Sequence, residues 1–155
     1  MGPTTNSTLR STDFVAGDFP PHGVSEILDD GEVVFAHTTG PFNLEGVIGI
    51  NRARMEYFRL HPITRPVCHL TILHRSVLMS HECIDAFNSG IQQAFGGDRP
   101  RLTALAWVPD GDVEGLTLMT NMYTESYAAV GIPLQIFDNV GQARQWFQEC
   151  LKAAA

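Results

Sequence analysis

The sequence predicts a single α/β domain built on a mostly parallel five-stranded sheet with four helices and one antiparallel edge strand. Three observations carry this. Short apolar runs alternate with segments of helical period three times after the first helix, the pattern of strand–helix repeats around a parallel sheet. Two of those runs, Val67–Leu73 and Leu102–Val108, are apolar on both alternating faces, as interior strands covered on both sides require. Before them, two short runs flank Asp29-Asp30-Gly31, where Asp-Gly readily supplies positive φ for a hairpin.

Taken in order, Met1 to about Pro21 is rich in Thr, Ser, Gly and Pro and has no periodicity. Residues 1–21 therefore read as a loose tail and 22–155 as the domain. Val24–Leu28 and Glu32–Thr38 read as antiparallel strands, the first at the sheet edge. Asn43 to about Leu60 is a helix, with Leu44, Val47, Ile48, Met55 and Phe58 inward and Arg52, Arg54, Glu56 and Arg59 toward solvent. His61-Pro62 ends it.

The stretch Pro66–Phe95 is the clearest unit: the strand Val67–Leu73, a short loop, then a helix with Ile84, Phe87, Ile91 and Phe95 on one stripe. Ser80 is suited to cap that helix, and Glu82 places negative charge in its first turn. Leu102–Val108 is the next interior strand. A helix follows with the stripe Leu116, Met119, Tyr123, Tyr127 and Val130, capped by Asp112 and ended at Gly131. Pro133–Phe137 forms the last strand, with the proline at an edge where its missing N–H costs nothing. Asn139–Leu151 is the last helix, with Asn139 and Gln142 in capping spacing.

The net charge of −7 and the scattered placement of nine Arg and one Lys argue against a nucleic-acid partner. No apolar run is long enough to cross a membrane and no signal-like segment opens the chain. Cys68, Cys83 and Cys150 form no CxxC pair and fall on core-facing positions. They read as buried reduced thiols of a cytoplasmic protein.

Six histidines raise the question of a metal. His69 and His74 differ by an odd number and point to opposite faces of a strand. No His pair has helical ligand spacing, so no metal and no cofactor is expected. His69 reads as a core histidine with backbone partners for its ring. A nucleophile–base pair drawn from Ser76, Ser80 or Cys83 with His74 or His81 has no supporting signature. Gly46 and Gly49 lack phosphate-loop spacing, but they open space on their helix. With Met119, Tyr123 and Tyr127 on the facing helix, they define a candidate pocket for a small apolar ligand.

From Val24 to Leu151 the order of elements resembles the SpoIIAA-like superfamily, which includes the STAS domains. The closing piece Ile132-Pro-Leu-Gln-Ile-Phe-Asp-Asn-Val-Gly-Gln-Ala-Arg-Gln-Trp-Phe is similar to that family's last strand and helix. In its bacterial regulators, the strand matching Val67–Leu73 leads to an Asp-Ser-Ser-Gly motif whose serine is phosphorylated to switch partner binding. The matching stretch here is Leu78-Met79-Ser80-His81-Glu82, which leaves Ser80 as the candidate phosphoserine without the acidic and glycine neighbours. The resemblance implies a non-enzymatic, bacterial-type regulatory domain that binds a protein partner or a small apolar ligand. A homodimer is compatible with it. The alternative is a small hydrolase or transferase using a His or Ser in the loops after the strands.

Overall fold

A computed structural model describes residues 8–15, 17–29 and 33–155. The class is α/β, with four α-helices and one six-stranded mixed sheet among the described residues. The strands are β1 (Leu9–Arg10), β2 (Val24–Asp29), β3 (Val34–Thr39), β4 (Cys68–His74), β5 (Ala104–Pro109) and β6 (Leu134–Ile136). They lie side by side in chain order. β1–β2 and β2–β3 are antiparallel, and the other pairings are parallel. The helices are α1 (Leu44–Leu60), α2 (His81–Phe95), α3 (Leu116–Ala128) and α4 (Val140–Ala154).

The expectation of five strands and a loose segment through residue 21 is corrected by β1. Leu9 and Arg10 pair with Ile27 and Glu26, so β2 is not the edge. A 3₁₀ turn, Ser11–Phe14, follows; the Ser11 hydroxyl accepts a hydrogen bond from the Ser25 N–H at 2.7 Å and is itself buried. The expected Asp29-Asp30-Gly31 turn runs outside the described residues at 30–32.

Register gives the sheet two faces of different character. Val34, His69 and Leu105 stand in one row, Ala36, Thr71 and Trp107 in the next, and Thr38 beside Leu73 beyond them. This inner face carries α1, α2 and α3: Val47, Phe87, Ile91, Tyr123 and Tyr127 share its core with Leu73, Leu105 and Trp107. The outer face carries α4, whose Ala143 and Phe147 pack with Cys68, Leu70, Ala104, Ala106 and Val108. β4 and β5 are thus interior strands, and β6, opening after Pro133, is an edge.

The helix ends follow capping rules. Asn43 caps α1 by accepting from the Gly46 N–H at 2.9 Å, and Asn139 caps α4 through the Gln142 N–H at 2.9 Å. The expected cap Asp112 is replaced by Gly115, whose φ of 77° is left-handed and suits glycine. Gly131, at φ 78°, follows α3.

Candidate functional site

Between α1, α2, the first half of the sheet and the inner edge of α3 lies a cavity of about 70 Å³. It runs along the inner face from Thr38 and Leu73 toward Val34 and His69. The end nearest Thr38 and Leu73 is lined by Phe42 and Met79, which follow the C-terminal ends of β3 and β4. These two segments are tied by the Phe42 N–H donating to the Leu78 carbonyl at 3.0 Å. Open parallel sheets place ligands at such strand ends.

One wall is apolar: Val47, Leu73, Val77, Phe87 and Trp107. Phe87 meets Tyr123 and Tyr127 edge-on, with centroids 5.2 and 5.9 Å apart, and Trp107 meets Tyr123 at 4.8 Å. Such pairs fix ring orientation beyond what burial alone does.

A polar set is interleaved with this wall, Thr38 beside Leu73 and Thr71 beside Trp107 on the same sheet face. Ser25 and Thr38, side by side on β2 and β3, bond to each other through their hydroxyls at 2.9 Å. Thr71, His69, Arg54 and Tyr127 complete it. Arg54 is 9% exposed. It donates one hydrogen bond, to Asn51 Oδ1 at 3.3 Å, and lies 5.9 Å over the Phe87 ring. Among the described residues no Asp or Glu lines the cavity. A guanidinium stays charged at any pH a protein survives, and an unpaired buried charge costs several kcal/mol.

His69 Nε2 is buried with no hydrogen-bond partner among the described residues. Burial, and then the positive charge of Arg54, push the His69 pKa down to about 3, so the ring is neutral near neutral pH. The expectation of backbone partners for this histidine is therefore corrected at Nε2. Burial raises the Tyr127 hydroxyl above its ordinary range, with Arg54 acting against it. That hydroxyl also has no hydrogen-bond partner among the described residues.

The candidate pocket residues separate into two groups. Tyr123 and Tyr127 line the cavity, but the Tyr123 hydroxyl is already committed, donating to the Val77 carbonyl at 2.7 Å. Gly46, Gly49 and Met119 do not line it. A Cβ on Gly46 would collide with the His22 carbonyl, and one on Gly49 would lie 2.6 Å from the Ser11 carbonyl oxygen. Both glycines make room for the N-terminal segment rather than a ligand. Met119 is buried in the core of α3.

Arg54 had been placed toward solvent by residue type. Yet it stands seven residues after Val47 and three before Tyr57, on the buried stripe. That spacing was the available signal. Met55, expected inward, is exposed.

A second polar cluster lies on the outer face at the strand ends. His37 Nδ1 and His74 Nε2 are 2.9 Å apart, and His74 Nδ1 is 3.2 Å from Asp110 Oδ2. Among the described residues no serine or cysteine bonds to either ring: Ser76 donates to Glu114 Oε1 at 3.0 Å, and Ser80 pairs with Cys83. Nor is any group of three or more His, Cys, Asp or Glu side chains among them arranged to hold a metal ion.

Ser80 is exposed and caps α2, accepting from the Cys83 N–H at 3.4 Å. Cys83 is buried against the Phe42 carbonyl. Cys68 is sealed beneath α4, and burial followed by the neighbouring Cys150 pushes its thiol up to about 12, which leaves it unreactive.

Among the described residues no helix is long and apolar enough to cross a membrane. Comparison with family models, curated proteins and solved structures returns no match to this chain.

Proposed function

We propose that this chain is a regulatory binding domain of the SpoIIAA/STAS-like type, working in the cytoplasm, whose inner-face cavity takes a small ligand. One observation carries the reading: a built cavity between the helices and the sheet is lined by apolar side chains together with Arg54, Thr71, Tyr127 and His69, whose Nε2 is buried without a partner among the described residues. Cores ordinarily satisfy such groups. The consecutive strands and the serine-capped helix after β4 agree with the family type. Ligand occupancy, or phosphorylation of Ser80 at the α2 N-terminus, then alters the surface offered to a protein partner.

Thermal-shift and Trp107 emission measurements on the full chain, with a panel of small amphipathic and apolar compounds, test the binding role. Saturable stabilisation by mass action is the expected result. Complete silence across the panel would remove the ligand-binding reading. Mass spectrometry of protein from its native cells tests Ser80 separately, and an unmodified serine under all growth conditions would remove the phosphoswitch.

A further inference from the structure

Hydrogen-bonding chemistry narrows the ligand. Building on the binding role proposed above, we infer that the cavity takes a short-chain monocarboxylate, its carboxylate held by Arg54 and Tyr127 and its tail against Phe87, Val77 and Trp107.

The polar wall is rich in donors and poor in acceptors. Arg54 offers a fork of N–H groups, of which one is engaged, by the neutral amide of Asn51. The Tyr127 hydroxyl, 5% exposed as a residue, and the Thr71 hydroxyl have no side-chain partner among the described residues. Ser25 and Thr38 satisfy each other. With no carboxylate among the described lining residues, the described wall offers Arg54 no acidic partner. A planar carboxylate accepts two parallel bonds from a guanidinium and a third from a phenol, and charge-assisted bonds of this kind are roughly twice as strong as neutral ones.

Charge count favours a single negative charge. Among the described lining residues Arg54 is the one cation, because His69 is neutral there. A phosphate would bring more charge and more acceptor oxygens than this wall can satisfy. Size sets the tail. A volume of about 70 Å³ is near half of the roughly 150 Å³ that encloses benzene in an apolar cavity. Benzene has as many heavy atoms as butyrate, so half that volume accommodates a carboxylate of about one or two carbons, such as acetate, and excludes longer fatty acids.

The test titrates the full chain at neutral pH with acetate, acetamide and inorganic phosphate in turn. It follows Trp107 emission in a Trp146→Phe background, since Trp146 lies on the opposite face of the sheet. Acetate is expected to saturate, with acetamide at least about tenfold weaker and phosphate inert. Tyr127→Phe should weaken acetate about tenfold, the cost of one bond to a charged group, and Arg54→Met should abolish it. Arg54→Met keeps the stem that packs on Phe87; Tyr127→Phe changes a single oxygen and keeps the test open if the arginine variant does not fold. Equal binding of acetate and acetamide would overturn the carboxylate inference while leaving the cavity as a binding site. Binding of phosphate alone, or no response to acetate, would also overturn it. Silence toward neutral compounds as well would remove the broader reading.

Discussion

On the outer face of the sheet, His37, His74 and Asp110 satisfy one another in a chain of two contacts at 2.9 and 3.2 Å. On the inner face, Arg54, His69, Thr71 and Tyr127 stand around a cavity with one side-chain hydrogen bond among them. Both sets are polar: His37 and His74 sit on strands with Asp110 just after β5, and the inner set sits on strands and helices. The difference lies in solvent. Asp110 is 68% exposed in its side chain, so water completes whatever the histidines leave unmade. On the inner face His69 Nε2 is buried without a partner among the described residues, and an unmet bond there is a cost. That difference is why the proposed site is the inner face and not the histidine chain.

The sharpest way to break that contrast is to damage the wall that shapes the cavity. Phe87 touches Tyr123, Tyr127 and Arg54 at once. Phe87→Ala should cost about 3–5 kcal/mol by chemical denaturation. A loss below about 1 kcal/mol would mean the wall is not a packed element.

The buried histidine gives a pH signature that the outer pair does not share. The folded state holds His69 near 3, whereas the unfolded chain titrates it at its ordinary 6.5. Stability from this group is therefore fully present above about 6.5 and is lost as pH falls toward 3, by up to about 1.4 kcal/mol per pH unit. His69→Phe should flatten that limb. Parallel stability curves for the variant and the natural chain across this window would contradict the burial of a neutral ring.

Arg54→Met should raise the stability of the ligand-free protein by about 1–3 kcal/mol, because it removes an unpaired buried charge and keeps the apolar stem. A loss of the same size would show that the guanidinium is already satisfied. On the outer face, Asp110→Asn should change stability by less than about 1 kcal/mol, as exposed pairs do. A larger effect would erase the distinction between the two faces.

Much of the fold was legible. β4, α2 and the cap Ser80 followed from a β-branched apolar run, a stripe at steps of three and four, and a serine before them. β1 was hidden because two residues leave no period to read; what holds it is pairing with β2 and the burial of one serine hydroxyl. The glycines on α1 open space, as expected, but what fills it is backbone from the N-terminal segment and not a ligand. The cavity was only half legible, through Tyr123 and Tyr127. Its polar side was not, because residue type points Arg54 to solvent while its position between Val47 and Tyr57 buries it. The core placement of His69 was legible from a strand covered on both faces; its unpartnered Nε2 was not, because that depends on which groups the covering helices bring.

The most direct test is a ¹⁵N–¹H spectrum of the arginine Nε–H groups during titration with acetate. The account predicts that one resonance, assigned to Arg54 by its loss in Arg54→Met, shifts progressively and saturates with the Trp107 signal, while acetamide leaves it in place. An Arg54 resonance that stays unmoved while acetate binds, or that moves equally with acetamide, would contradict a carboxylate seated on the guanidinium.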